Sequence, residues 1–217
     1  MVLSALLATA SAQLGQTTAY ALCKPLPLLI ALACVALAQR GQPRTPSWWL
    51  LGAALLLSLL GDVFLLDMAR FMPGLLSFLL AHLAYIALFR RDAPWFAHRP
   101  ALALCLVAGA LAYGYLYRHG LPAHLQWPVA IYVTVIALMA AQALGRGHHL
   151  RTPAARCVAW GALSFMFSDT VLAINQFAWA VPYSHVWALG SYYLAQGLIV
   201  HGMLQTLRAP TSSTSQK

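Results

Sequence analysis

The chain carries only four acidic residues among 217, all of them aspartates, and two of these, Asp62 and Asp169, interrupt apolar stretches long enough to cross a bilayer. A carboxylate among hydrocarbon costs at least about 2.5–3.5 kcal/mol even on the lenient insertion scale, so it needs a partner, a water-filled cavity or a chemical task. Two carboxyls in one buried site suit acid–base chemistry.

Helical rise puts the two at one level. Fourteen residues separate Trp48 from Asp62 and Ala155 from Asp169, which is about 21 Å along an α-helix in each case. Other polar side chains gather at related depths. His82 and Tyr85 lie three residues apart on one helical face, with Phe78 continuing the stripe. Ser168 and Asn175 flank Asp169 on its own segment, Gln176 shares its face, and Tyr192, Tyr193 and Gln196 lie about two to three turns into the last apolar stretch. Lys24 opens the second one. The expected site is therefore Asp62 and Asp169 with Lys24, His82, Tyr85, Ser168, Asn175, Tyr192, Tyr193 and Gln196 around them. The residues alone also allow a structural ion pair between Lys24 and Asp62, and packing roles for His82 and the tyrosines.

The elements that must position these groups follow from composition. Hydrophobic residues make up 61% of the chain and charged residues 8%, against roughly 45–50% and 25% in soluble domains, and the apolar runs lack the alternation of barrel strands. The expected architecture is all-α, a polytopic membrane bundle of about eight transmembrane helices near 2–19, 23–38, 48–66, 72–89, 101–117, 125–144, 155–178 and 185–206. Residues 1–209 form one transmembrane domain in this reading, and the Ser/Thr-rich stretch 210–217 a disordered cytoplasmic tail. The apolar N-terminus lacks the basic n-region of a signal peptide and reads as the first helix. Pro25 and Pro27 suit a helix start. Ten of the thirteen Lys and Arg fall in the connections after helices two, four, six and eight, which places both termini in the cytoplasm, with a bacterial inner membrane as the expected location. Tryptophans and tyrosines near the segment ends, including Trp48, Trp49, Trp127 and Trp187, fit interfacial belts.

Other classes fit less well. The net charge of +9 is scattered over short loops without interleaved aromatics, so nucleic acid is not an expected partner. The four cysteines form no CxxC pair, and the histidines lie at unlike depths, so neither a disulfide framework nor a metal site is expected. No GxSxG elbow or HExxH pair is present. Leu59-Leu60-Gly61-Asp62 departs from the GxGD context of intramembrane aspartyl proteases at Leu59.

Several elements in order resemble the YhhN or TMEM86-type lysoplasmalogenases: Lys24-Pro25-Leu26, Gly61-Asp62, then Gly74, Phe78, His82 and Tyr85, then Gly161, Phe165, Ser168-Asp169, Leu172-Ala173 and Phe177, and finally Tyr192-Tyr193 with Ala195-Gln196. The resemblance implies hydrolysis of the vinyl ether bond of lysoplasmalogens, with a lysophospholipid substrate drawn from the membrane and no cofactor. Protonation of the vinyl ether β-carbon creates an oxocarbenium-like cation that water then attacks, and an aspartate pair can serve as acid and as stabiliser or base, as paired carboxylates do in glycoside hydrolysis. Intramembrane Asp, His and Lys also line the routes of small-solute and proton-coupled transporters, which is the alternative reading, and lipid binding without turnover is a third.

Overall fold

The computed structural model describes residues 2–43 and 45–208. Nine α-helices occur among them: α1 (Val2–Gln13), α2 (Thr17–Cys23), α3 (Leu26–Ala38), α4 (Pro46–Phe64), α5 (Phe71–Phe89), α6 (Arg99–His119), α7 (Gln126–Leu150), α8 (Pro153–Phe177) and α9 (Ser184–Arg208). Arg44 and the expected tail 210–217 lie outside the described residues. Six stretches are long and apolar enough to cross a bilayer, with α2 and α3 counting together as Thr17–Ala38. This is a multi-pass helical membrane protein. The last helix, α9, matches them in length at 25 residues, but its histidines, glutamines and tyrosines set it apart from the six.

The N-terminal region differs from the expectation of spans at 2–19 and 23–38. The first helix stops after 12 residues, about 18 Å, short of the roughly 30 Å hydrocarbon core. The chain then turns through Gly15, whose φ of +67° suits a residue without Cβ, and restarts at Thr17. Pro25 caps α3 and Pro27 sits in its first turn, the position where a missing N–H does no harm. Because Lys24 and Pro25 both keep helical dihedrals, α2 runs almost directly into α3 and holds Lys24 at a proline-broken joint.

Two helices begin alike. Thr45-Pro46 opens α4 and Thr152-Pro153 opens α8, where the Thr152 hydroxyl accepts from the Ala155 N–H at 3.2 Å. Asp62 and Asp169 are each sixteen residues beyond their proline, so each lies about 24 Å along a parallel helix. Their neighbours bring in the remaining walls. In the bundle α4 packs on α5, α8 on α9 and α6 on α7, and α7 also touches α5 and α8. Small residues set the tightest crossing. A Cβ on Gly161 would stand 2.9 Å from the Ala195 carbonyl, and one on Gly202 2.5 Å from the Ala154 carbonyl, so only glycine lets α8 and α9 approach this closely.

The basic end of the bundle is closed by side chains rather than by solvated loops. Arg146 belongs to α7, is fully buried, and donates to both carboxylate oxygens of Asp92 at 2.7 and 2.6 Å and to Thr206 at 3.2 Å. One turn earlier, Gln142 accepts from the Phe96 N–H at 2.9 Å and donates to the Pro94 carbonyl at 3.1 Å. The α5–α6 loop is thereby latched onto α7. Arg146 is thus not the loop charge that the topology count took it for. Trp48, expected in an interfacial belt, is instead buried in the core. His148 and His149 occupy the exposed last turn of α7.

Candidate active site

At the end away from the latch, a cavity of about 290 Å³ opens among α2, α4, α5, α6, α7, α8 and α9. That volume lies near the lower edge of the roughly 300–1,000 Å³ typical of small-molecule sites. Its walls are mainly aliphatic and aromatic, with Leu116, Val129 and Leu172 among them, and its polar groups converge on two aspartates.

Asp62 occupies the last turn of α4, where Gly61 matters. A Cβ there would lie 2.6 Å from the Phe78 ring, so glycine lets Phe78 of α5 press against the helix beside the carboxylate. The Tyr192 hydroxyl, two turns into α9, donates to Asp62 Oδ2 at 2.8 Å. The Lys24 ammonium approaches Oδ1 at 3.9 Å, with both side chains buried, and lies 5.6 Å from the centre of the Tyr20 ring. The neighbouring Tyr193 holds this lysine from behind, donating to its backbone carbonyl at 3.1 Å at the proline joint. Lys24 and Asp62 thus form a buried, charge-compensated pair, whose desolvation only close partners can offset.

Asp169 is set differently. Its side chain keeps 16% exposure toward the cavity and no Lys or Arg pairs with it among the described residues. The Tyr132 hydroxyl of α7 donates to its Oδ2, and His82 Nε2 stands 3.6 Å from the same oxygen and 3.1 Å from the Tyr132 oxygen. A phenol has one proton, and here it goes to the carboxylate. The imidazole must therefore be the donor to Tyr132, which assigns a proton to Nε2. His82 Nδ1 makes no hydrogen bond and is buried against Phe165, whose ring centre lies 4.7 Å from the imidazole. Phe165 also meets Phe78 and Tyr192 edge-on at 6.3 and 5.3 Å, forming an aromatic partition at the core of the site.

Of the expected residues, Asp62, Asp169, Lys24, Ser168, Asn175 and Tyr192 line this one cavity. Ser168 uses its hydroxyl to donate to the Ala188 carbonyl at 2.8 Å, fastening α8 to α9, and Asn175 accepts from the Val181 N–H at 3.0 Å, fastening α8 to the connection that leads into α9. His82, Tyr85, Tyr193 and Gln196 stand behind the wall. Tyr85 donates to Gln196 Oε1 at 2.6 Å in a fully buried layer one turn below Tyr192. Tyr132 was missed, because α7 offered only hydrophobicity to the reader of its sequence. A depth signal was present: Tyr132 lies six residues inside α7 and Asp169 eight residues before the end of α8, about 9 and 12 Å from the same face. Tyr20 and His185 complete the polar rim. Among the described residues no three His, Cys, Asp or Glu side chains converge on a metal position.

Fold and site together define a multi-pass membrane protein with two tyrosine-bound aspartates facing one intramembrane cavity. The YhhN family model matches residues 19–203, and the chain belongs to the YhhN family. It is 34% identical to lysoplasmalogenase TMEM86B of Homo sapiens over 76% of this chain and 66% of that protein. It is 32% identical to lysoplasmalogenase TMEM86B of Mus musculus over 88% of this chain and 76% of that protein, and 33% identical to lysoplasmalogenase TMEM86A of Homo sapiens over 71% and 65%. The match thus spans about two thirds of the human relatives' length. No solved structure matches.

Proposed function

We propose that the protein is a lysoplasmalogenase, hydrolysing the vinyl ether bond of lysoplasmenyl-ethanolamine or lysoplasmenyl-choline to a fatty aldehyde and glycerophospho-ethanolamine or glycerophospho-choline. The observation that carries the reading is the pair Asp62 and Asp169 on one largely apolar cavity, each bound by a tyrosine hydroxyl. The names of the relatives point the same way.

The alkenyl chain lies against the aliphatic faces of α6, α7 and α8, and the glycerophospho head group turns toward the rim formed by Lys24, Tyr20 and His185. The scissile bond then falls at the polar boundary, between the aspartates. One carboxyl delivers a proton to the β-carbon, breaking its O–H bond as the C–H bond forms. The resulting oxocarbenium-like cation is met by the other, ionised carboxylate, whose field acts strongly in a site sheltered from bulk water. Water adds to the cation, loses its proton to the vacated carboxylate, and the hemiacetal collapses to aldehyde and alcohol. No cofactor enters this scheme.

The bundle sits in a bacterial cytoplasmic membrane with the latch and the end of α9 toward the cytoplasm and the cavity in the outer half, as the basic residues at the α3–α4 and α5–α6 connections and the end of α9 suggest. The test is direct. Purified full-length protein in detergent is incubated with lysoplasmenylethanolamine and aldehyde release is followed. Time-dependent release that scales with protein supports the assignment. No turnover on any lysoplasmalogen refutes it and shifts the weight to transport or lipid binding.

A further inference from the structure

Asp62 has a lysine to balance its charge, whereas Asp169 has only the imidazole of His82, reached through a phenol. This asymmetry separates the roles of the two carboxyls. Lys24 and Asp62 neutralise each other in a buried pair, so a proton added to Asp62 would strand the ammonium. The group His82–Tyr132–Asp169 holds one proton that has two places to sit. In one arrangement His82 is an imidazolium and Asp169 a carboxylate; in the other His82 is neutral and Asp169 a carboxylic acid. Neither arrangement changes the total charge, and the contacts for the exchange are already in place.

We propose that Asp169 is the acid of the reaction and that His82 loads it through Tyr132, which extends the lysoplasmalogenase reading above and rests on it. The transfer is concerted: the Tyr132 O–H bond breaks as the Asp169 Oδ2–H bond forms, and the His82 Nε2–H bond breaks as the Tyr132 O–H bond is remade. Positive charge leaves the imidazole and negative charge leaves the carboxylate. Asp169 then gives this proton to the vinyl ether carbon, takes one from the attacking water, and returns it along the same path. Tyr132 lines the cavity and His82 does not. The histidine is fully buried, with Phe165 and Tyr132 packed on its ring, and its second nitrogen meets no hydrogen-bonding group. It therefore reaches the substrate only by way of Tyr132, which makes it a positioning residue and proton store. The other titratable and charged groups facing the trio across the cavity are Lys24 and Asp62, held against each other, Tyr192 on Asp62, and Tyr20 and His185 at the rim.

A two-residue cycle tests this on the full chain in detergent with lysoplasmenylethanolamine. Tyr132→Phe is expected to lower kcat by about 10²-fold with little change in KM, within the usual range of lost acid–base assistance. His82→Gln is expected to lower kcat by about tenfold, less because Asp169 can still be loaded slowly from water. The double variant H82Q/Y132F is expected to be no slower than Y132F, since His82 has no route once the phenol is gone. H82Q should also move the high-pH limb of kcat to lower pH, because the trio loses one of the two bases that retain its proton. Losses that multiply in the double variant, or a high-pH limb that stays in place in H82Q, would overturn the relay. His82→Asn carries the same cycle if H82Q does not purify as a monodisperse species. Absence of turnover in the wild type would instead overturn the lysoplasmalogenase reading, so the two failures are distinct.

Discussion

Replacing Asp62 by Asn keeps the shape of the side chain and removes its charge, which leaves the Lys24 ammonium buried without a counter-ion. Breaking a buried pair costs about 3–5 kcal/mol. With Nζ and Oδ1 at 3.9 Å, rather than in hydrogen-bond contact, the lower figure applies. About 3 kcal/mol corresponds to a fall in melting temperature of about 6–12 °C for a chain of this size. Turnover should fall much further, by about 10²–10⁴-fold, because the carboxylate that faces the developing cation is gone. Adding Lys24→Met separates the two effects. The double variant D62N/K24M no longer buries an unpaired ammonium and should regain most of the lost melting temperature, yet at saturating substrate it should remain as inactive as D62N. The measurements are aldehyde release from lysoplasmenylethanolamine and thermal unfolding in the same detergent. Recovery of both stability and turnover in the double variant would show that Asp62 serves only as the counter-ion of Lys24. Near-normal turnover in D62N alone would remove it from the chemistry.

Three further outcomes follow from the same geometry. A saturated alkyl-ether lysolipid, which has no π bond to protonate, should inhibit competitively without reacting; on the vinyl ether the rate should fall as pH rises and the acid ionises, and should drop several-fold in D₂O, so aldehyde from the saturated ether at a comparable rate would contradict the mechanism. Reporter fusions after residues 45, 95 and 150 should lie in the cytoplasm and those near 70, 120 and 181 on the other side, and a consistent reversal would move both aspartates to the inner half. Asp92→Ala should lower the melting temperature by about 6–20 °C by stranding the fully buried Arg146 guanidinium, at about 3–5 kcal/mol, while leaving kcat of the folded protein unchanged.

The intramembrane aspartates and their common level were legible in the sequence because both rest on local physics. Hydropathy marks an apolar run, a charge inside it stands out by its cost, and a fixed helical rise converts residue number into depth. The prolines that open α4 and α8, Pro46 and Pro153, are local signals too, and they set the helix starts two residues ahead of the expected 48 and 155. Even so, local reading ran two helices together: Leu14-Gly15-Gln16 breaks the first apolar stretch in a way that hydropathy averages over, leaving α1 too short to span.

Which side chain meets which was decided by tertiary structure. Tyr132 reads as one more aromatic in an apolar helix until α7 is packed between α5 and α8, where its hydroxyl falls between His82 and Asp169, fifty and thirty-seven residues away. Arg146 counts as a loop charge until α7 extends past it and the α5–α6 loop folds Asp92 over it. Within a helix, periodicity says which residues share a face. The direction in which that face turns is set by the close packing of neighbouring helices, here by the glycine contacts that bring α8 against α9 and Phe78 against Gly61. These contacts join residues far apart in the chain, and no local property of either partner encodes them.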